Sequence, residues 1–236
     1  MGMERKEFLK DLSGFYGTGE KNISGQTLEE FLQEYDPYKY KTPSCTTDAV
    51  IFAYEGEECR SLCGLKILLV KRRNHPSIGF WALPGGFIDL NENLEDTARR
   101  ELWEETGVKD LAMEQVATYG DFDRDPRTRV ITTAYMALVA KKDVKIRAGD
   151  DAADAAWCDV RLLQRQTEKR RHIERDIYVL DVKNSSRNLD TQAIVEVCVS
   201  DGLIREEKFS VREQGMIAVD HAAIIVQSLL KLSSRF

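Results

Sequence analysis

The sequence predicts an α/β (α+β) protein in which a mixed β-sheet lies sandwiched between helices. Three observations predict it. Short runs rich in β-branched and aromatic residues recur between residues 46 and 160. One amphipathic helix, announced by a glycine turn, interrupts those runs. A second, more apolar helix closes the pattern near residue 232, so a helix is available for each face of the sheet. The 236 residues, 42% hydrophobic and 31% charged, suit one large domain or one domain with an appendage.

Residues 1–43 read as a polar and aromatic N-terminal extension with short helical patches. In LEEFLQEY (28–35), Leu28, Phe31 and Leu32 have helical spacing, and Thr27 can cap the helix. Asp36-Pro37 and Thr42-Pro43 then break it. The core is expected over 44–162. TTDAVIFAYE forms a first strand, a polar turn follows at 55–60, and LKILLVKRR forms a second strand from Leu65. FWALPGGFI (80–88) adds an extended piece running into the glycine turn. A helix is expected over about 93–106, where Gly107 is a natural C′ stop. MEQVATYGDF and RVITTAYMALVAK give two more strands joined by the charged loop DRDPRTR (123–129), and AAWCDV (155–160) gives a short one.

Residues 163–213 read as a β-rich insertion. The basic run LLQRQTEKRRHIER is expected to be helical. DIYVLDVKN and AIVEVCVSDGLIREEKFSV then build three antiparallel strands, with Asp201-Gly202 as a hairpin turn. Within 214–236, VDHAAIIVQSLLKL forms the closing helix of the core, with Asp220 near its start and Ile225, Leu229 and Leu232 on one face.

Composition excludes several function classes. A formal net charge of −6 opposes general nucleic-acid binding or docking on an acidic membrane. An anionic ligand must therefore be met by local basic groups or by metal. No apolar run approaches the ~18–20 residues of a membrane span, and MGMERKEFLKDLSGF lacks the apolar stretch of a signal peptide. Five cysteines without framework spacing fit reduced thiols and a cytoplasmic setting. Cys59 and Cys63 lack a second Cys/His pair, and His75, His172 and His221 are scattered, so no zinc-site spacing is present. Lys169-Arg170-Arg171-His172 is either a phosphate contact or a solvated patch.

The chemistry concentrates in GFIDLNENLEDTARRELWEETGV (86–108). Leu94, Ala98 and Leu102 form the buried stripe of its helix. Glu101, Glu104 and Glu105 fall within an arc of roughly 100°, and Glu101 and Glu105 project beside the stripe. Carboxylates at the edge of a core need a counter-charge, and a hard divalent cation with oxygen ligands supplies it. A solvated acidic face is the alternative reading. The spacing decides between them. Gly86, five residues, Glu92, seven residues, Arg100-Glu101-Leu102, one residue, Glu104-Glu105, one residue, Gly107-Val108 resembles the Nudix box at every defined position.

That resemblance implies a Nudix-type fold and Mg²⁺-assisted hydrolysis of a pyrophosphate, with Mn²⁺ as a substitute ion. It implies metal ligation by Glu101, Glu104, Glu105 and the Gly85 carbonyl, with Arg100 orienting a glutamate and Glu92 bracing the loop. Glu104, Glu105 and Arg100 are the catalytic candidates within the box. The general base comes either from a box glutamate or from the loop carboxylates Asp150, Asp151 and Asp154, of which Asp151 is the leading candidate.

Beyond the box, KRRNHPSIGFWALPGG, TYGDFDRDPRTRVITTAYMALV and IAVDHAAII resemble the ADP-ribose group of the superfamily and the Nudix-related regulators of NAD metabolism. The likeness covers about 44–162 and 214–232. It implies ADP-ribose as substrate, with AMP and ribose 5-phosphate as products. Arg124, Arg127 and Arg129 offer guanidinium forks suited to phosphate, and Trp81, Tyr119 or Phe122 offers a ring for adenine. Two other functions compete: an ADP-ribose sensor without turnover, and a pyrophosphohydrolase of triphosphates or damaged nucleotides. The regulators carry a C-terminal winged-helix module, whereas few residues follow the closing helix here, and this favours turnover. The expected partner is a small nucleotide, with no nucleic acid and no membrane, in a homodimer.

Overall fold

The computed structural model describes Leu9, residues 11–147 and residues 152–236, and the chain divides into two units, Met1–Thr42 and Pro43–Phe236. In the first, α1 (Leu28–Glu34) starts as its sequence predicts. The Thr27 side chain accepts the Glu30 N–H, and the Glu30 carboxylate accepts the Thr27 N–H, a reciprocal cap.

The second unit is organised by β1 (Ser44–Tyr54), whose successive side chains point to opposite buried faces. Around it run β2 (Lys66–Arg72), β3 (Trp81–Ala82), β4 (Gly85–Phe87), α2 (Leu94–Thr106), β5 (Glu114–Tyr119), β6 (Val130–Ala140), β7 (Ala152–Arg170), β8 (Ile173–Asn184), β9 (Leu189–Asp201), β10 (Arg205–Glu213) and α3 (His221–Ser233). Ala49 and Ile51 join Leu102 of α2 in one apolar cluster. Val50 and Phe52 join Ile224, Ile225 and Leu229 of α3 in the other. The period of two in β1 therefore puts the two helices on opposite faces, the expected sandwich.

The strands follow the order β10-β9-β8-β7-β2-β1-β6-β5, with β3 added to β2 and β4 to β1. The β1–β6 ladder is parallel; the other ladders among the described residues are antiparallel. The sheet is mixed, as expected.

The expected structure of the basic run fails. LLQRQTEKRRHIER is extended, not helical. AAWCDV does not stop at Val160 but continues as β7 to Arg170, paired with β8 as far as Arg170↔Ile173 with one register shift between Gln164 and Gln166. The long polar side chains that favour a helix are tolerated here because most of that stretch is exposed, and the ladder to β8 outweighs local propensity. The three strands expected after it are present as β8, β9 and β10.

α3 is buried on nearly every side, with Ala222, Ile224, Ile225 and Val226 all inaccessible. It touches β5 at one end of the strand order and β8, β9 and β10 at the other, so the sheet curls around it. Its C-terminal end is fastened to β5: Lys231 and Arg235 both pair with Glu114, at 2.8 and 2.5 Å. No helix among the described residues is long and apolar enough to cross a membrane.

Those two partners, Arg235 first, hold the Glu114 carboxyl down at about 2 against an ordinary value of 4.5. A depressed carboxyl contributes stability that is complete above the unfolded value and lost as pH falls through the folded one. Glu114→Gln is expected to cost under about 1 kcal/mol at pH 7, because the pair is partly exposed. In thermal melts, the gap from the parent should close between about pH 4.5 and pH 2.

Candidate active site

α2 carries the acidic residues because its register is fixed at both ends. Asn93 occupies the N-cap position, Gly107 ends the helix at φ +73°, and Ala98 and Leu102 are each 1% exposed against the sheet. Glu101 and Glu105 consequently stand at the margin of the core, and Glu104 points further out. One guanidinium balances most of this charge. Arg100 donates to Glu92 at 2.9 Å, to Glu101 at 2.7 Å, to Glu104 at 3.1 Å and to the Phe87 carbonyl at 3.1 Å. Glu92 also accepts the Thr97 hydroxyl at 2.7 Å. The bonds to Glu92, with the bond to Glu101 and the charges of both, raise the Arg100 pKa despite its partial burial.

The glycine turn lies against this cluster because β4 pairs with β1 in the register Thr47↔Gly86 and Asp48↔Gly85. Here the glycines are needed for close approach. A Cβ on Gly85 would stand 2.1 Å from the Thr47 carbonyl oxygen, and one on Gly86 would stand 2.4 Å from the Glu101 carboxyl carbon. The Gly85 N–H donates to Glu105 at 3.0 Å. Burial pushes the Glu105 carboxyl up to about 8 against that hydrogen bond, and the charges of Glu101 and Asp48 add to the rise. Burial likewise raises Glu101, against the pull of Arg100. The Thr47 hydroxyl, on the α2 face of β1, is fully buried without a hydrogen-bond partner.

Sequence reasoning did not single out three contributors to this site. Asp48 looks like one polar residue in an apolar strand, yet it is 7% exposed, accepts the Thr132 hydroxyl at 2.7 Å and adds to the field at Glu105. Arg72 is held by the Pro76 carbonyl at 2.7 Å. Burial, then the nearby Arg127 charge, lowers its pKa, while Glu105, Asp125 and Asp48 pull the other way. Phe87, next to Gly86, is 45% exposed and lies beneath the Arg127 guanidinium at 5.3 Å. The Arg-Arg step in KRR and the aromatic after PGG were the available signals.

The other expected residues are placed as follows. Arg127 remains partly exposed and pairs with Asp125 at 2.8 Å. Arg129 is exposed, and its carbonyl accepts the Ser44 N–H at 2.9 Å. Arg124 is committed within the protein: its side chain is 8% exposed and forms a two-point pair with Asp220 at 2.8 and 2.9 Å. Trp81 is 3% exposed inside the core. Tyr119 bonds Gln227, whereas Phe122 is 80% exposed. Asp154 pairs with Arg187 at 2.5 Å. Asp150 and Asp151 lie outside the described residues.

The NUDIX domain profile matches residues 34–179. The chain belongs to the NUDIX domain family. The ADPR responsive transcriptional repressor NtrR of Acinetobacter baylyi is 41% identical over 119 residues, covering 50% of this chain and 45% of that protein. The ADP-ribose pyrophosphatase of Methanocaldococcus jannaschii is 42% identical over 95 residues, covering 40% and 55%. This NUDIX chain thus spans about half the length of the curated relatives it matches. Among solved structures, the NUDIX domain of Shewanella oneidensis NrtR complexed with ADP ribose superposes with a TM-score of 0.58 at 29% identity, covering 88% of this chain and 99% of that one. The mixed sheet between helices is a Nudix fold.

The family implies a divalent cation, and the donor set fits one. Glu101, Glu104 and Glu105 with the Gly85 carbonyl are hard oxygen donors, and the missing Cβ of Gly86 lets the Glu101 carboxylate lie directly against the glycine turn. No three His, Cys, Asp or Glu side chains among the described residues converge as a ready cage. The hydrogen bonds explain why: Glu101 and Glu104 turn toward Arg100, and Glu105 turns toward the Gly85 N–H. Arg100 is the resident counter-charge. Replacing it by methionine should cost about 1–3 kcal/mol at neutral pH in urea unfolding of metal-free protein. A loss below about 0.5 kcal/mol would mean that the carboxylates do not depend on it.

Proposed function

We propose that this NUDIX protein is an Mg²⁺-dependent pyrophosphohydrolase that cleaves ADP-ribose to AMP and ribose 5-phosphate, with Mn²⁺ able to replace Mg²⁺. The observation that carries the reading is the partly buried Glu101–Glu105 pair pressed against the Gly85–Gly86 backbone. Two carboxylates brought that close to the core are costly unless a cation meets them. Glu101, Glu104, Glu105 and the Gly85 carbonyl would hold the ion. When bound, it would neutralise phosphoryl oxygens and acidify a water.

The rest of the work falls to the chain. Arg127, exposed above Phe87 and close to Arg72, offers a guanidinium to the diphosphate, and Arg129 extends that basic rim. The exposed half of the Phe87 ring is an apolar surface for a flat or sugar group. The attacking water gives its oxygen to one phosphorus. The bridging P–O bond breaks, and the second phosphate leaves with the bridging oxygen. The proton of that water passes to a carboxylate, for which Glu104 and Glu105 are the box candidates and Asp151 is the loop candidate. Arg100 keeps Glu101 and Glu104 oriented.

ADP-ribose is supported by likeness to the Methanocaldococcus pyrophosphatase and to the ADP-ribose-bound Shewanella domain. Likeness to the Acinetobacter repressor favours a second reading, ADP-ribose binding without turnover. The reading also carries a homodimer, which light scattering tests, and a cytoplasmic setting, in keeping with five free thiols.

Purified protein with Mg²⁺ and ADP-ribose should release AMP and ribose 5-phosphate. Glu105→Gln should lower kcat/KM by about a hundredfold or more without a fall in melting temperature. Cleavage of a nucleoside triphosphate with ADP-ribose left untouched would overturn the substrate. Saturable ADP-ribose binding without product would establish the sensing alternative.

A further inference from the structure

Asp220 and His221 lie outside the Nudix box, yet each holds one wall of the site from the first turn of α3. The buried His221 accepts the Leu83 N–H through Nδ1 at 2.9 Å. Leu83 stands two residues before Gly85, in the loop that presents the Gly85 carbonyl. Because an amide can only donate, Nδ1 carries the lone pair and Nε2 the proton. That Nε2 faces Asp48 Oδ1 at 3.8 Å, and the same oxygen would lie 3.0 Å from a Cβ on Gly85. The ring thus holds the segment leading to the glycine loop directly, through Leu83, and stands beside the Asp48 carboxylate that backs Gly85.

Asp220 occupies the N-cap position of α3, but its carboxylate makes no cap hydrogen bond. It takes the buried Arg124 instead, at 2.8 and 2.9 Å. Arg124 anchors the 120–129 loop, whose Arg127 reaches over Phe87 beside Gly86. The segment before the helix is fixed as well. The Trp81 N–H donates to the Met216 carbonyl at 2.9 Å, and the Ala218 N–H donates to the Trp81 carbonyl at 2.8 Å. Val219 is then held at φ +45°, a conformation costly for a β-branched residue. The two residues after it, Asp220 and His221, bond two different loops.

We propose that Asp220 and His221 are positioning residues, one holding the arginine loop and the other the metal-presenting loop, both fixed to the same helical turn. The proposal rests on the hydrolase reading above. It separates the two loops kinetically: His221 governs metal affinity and kcat, and Asp220 governs KM through Arg124 and its loop.

The test compares His221→Asn, His221→Gln and Asp220→Asn in the full chain. Asparagine places an oxygen acceptor where Nδ1 stands, whereas glutamine places its acceptor one bond further out. His221→Gln should weaken Mn²⁺ binding, read by the electron paramagnetic resonance of free Mn²⁺, and lower kcat for ADP-ribose, each by about tenfold. His221→Asn should recover both to within about threefold of the parent, with KM little changed in either variant. Asp220→Asn should raise KM by about tenfold with Mn²⁺ affinity unchanged. Equal behaviour of the asparagine and glutamine variants, or Mn²⁺ affinity unmoved by His221→Gln, would overturn the proposal. If the parent binds Mn²⁺ but does not hydrolyse ADP-ribose, the functional reading fails alone, and the Mn²⁺ comparison still decides the role of His221.

Discussion

Carboxylates on one side of α2 repel one another, and in partly buried surroundings that repulsion has to be met by cations or hydrogen-bond donors. Arg100 meets most of it, joining Glu92, Glu101 and Glu104 and reaching the Phe87 carbonyl of the glycine turn. The Gly85 N–H meets part of the rest at Glu105. The bonds to Phe87 and from Gly85 need β4 close to both β1 and α2, and it fits there because neither glycine carries a Cβ: one on Gly85 would strike the Thr47 carbonyl and one on Gly86 would strike Glu101. The glycines, the arginine and the glutamates of the box are therefore one electrostatic unit.

The fold supplies what this unit needs from outside. β1 separates the two helices by pointing alternate residues at each, so Asp48 comes from the α3 side while Thr47 faces α2. α3 fills the concave side of the curled sheet and is fastened to β5 through Glu114. Its first turn reaches both loops that flank the box. The β5–β6 loop adds the cationic side, with Arg127 stacked on Phe87 and balanced by Asp125. An acidic protein with a net charge of −6 thus offers a local basic rim next to the carboxylates of α2.

Much of this was legible before any coordinates, for identifiable reasons. The register of α2 follows from Ala98 and Leu102, and its end follows from Gly107, so the placement of Glu101 and Glu105 beside the core is legible. Leu94, expected on the same stripe, is 37% exposed in the first turn, where Thr97 is buried instead. The length of β7 was not. Its residues favour a helix, and its hairpin to β8 turns at Arg171, a non-glycine residue at φ +51°, without the Gly, Asn or Pro that marks turns. Asp48 was hidden for another reason: a lone acid in an apolar strand has no periodic signal, and only pairing with β4 brings it to Gly85. Arg124 was recognised as a guanidinium, but its partner Asp220 lies 96 residues away, a distance that local pattern cannot bridge. The histidines are scattered along the chain, and the fold gives one of them, His221, a place against the glycine loop.

The central claim is that the Glu101–Glu105 pair is incomplete without a cation. The direct measurement is the melting temperature of metal-free protein titrated with Mg²⁺, beside the Glu101→Gln/Glu105→Gln double variant. A ligand that binds the folded state alone raises stability by RT ln(1 + [L]/Kd). The account predicts that the parent's melting temperature rises steadily with Mg²⁺ and that the double variant's does not. A parent indifferent to Mg²⁺ and Mn²⁺, or a double variant that responds equally, would contradict it.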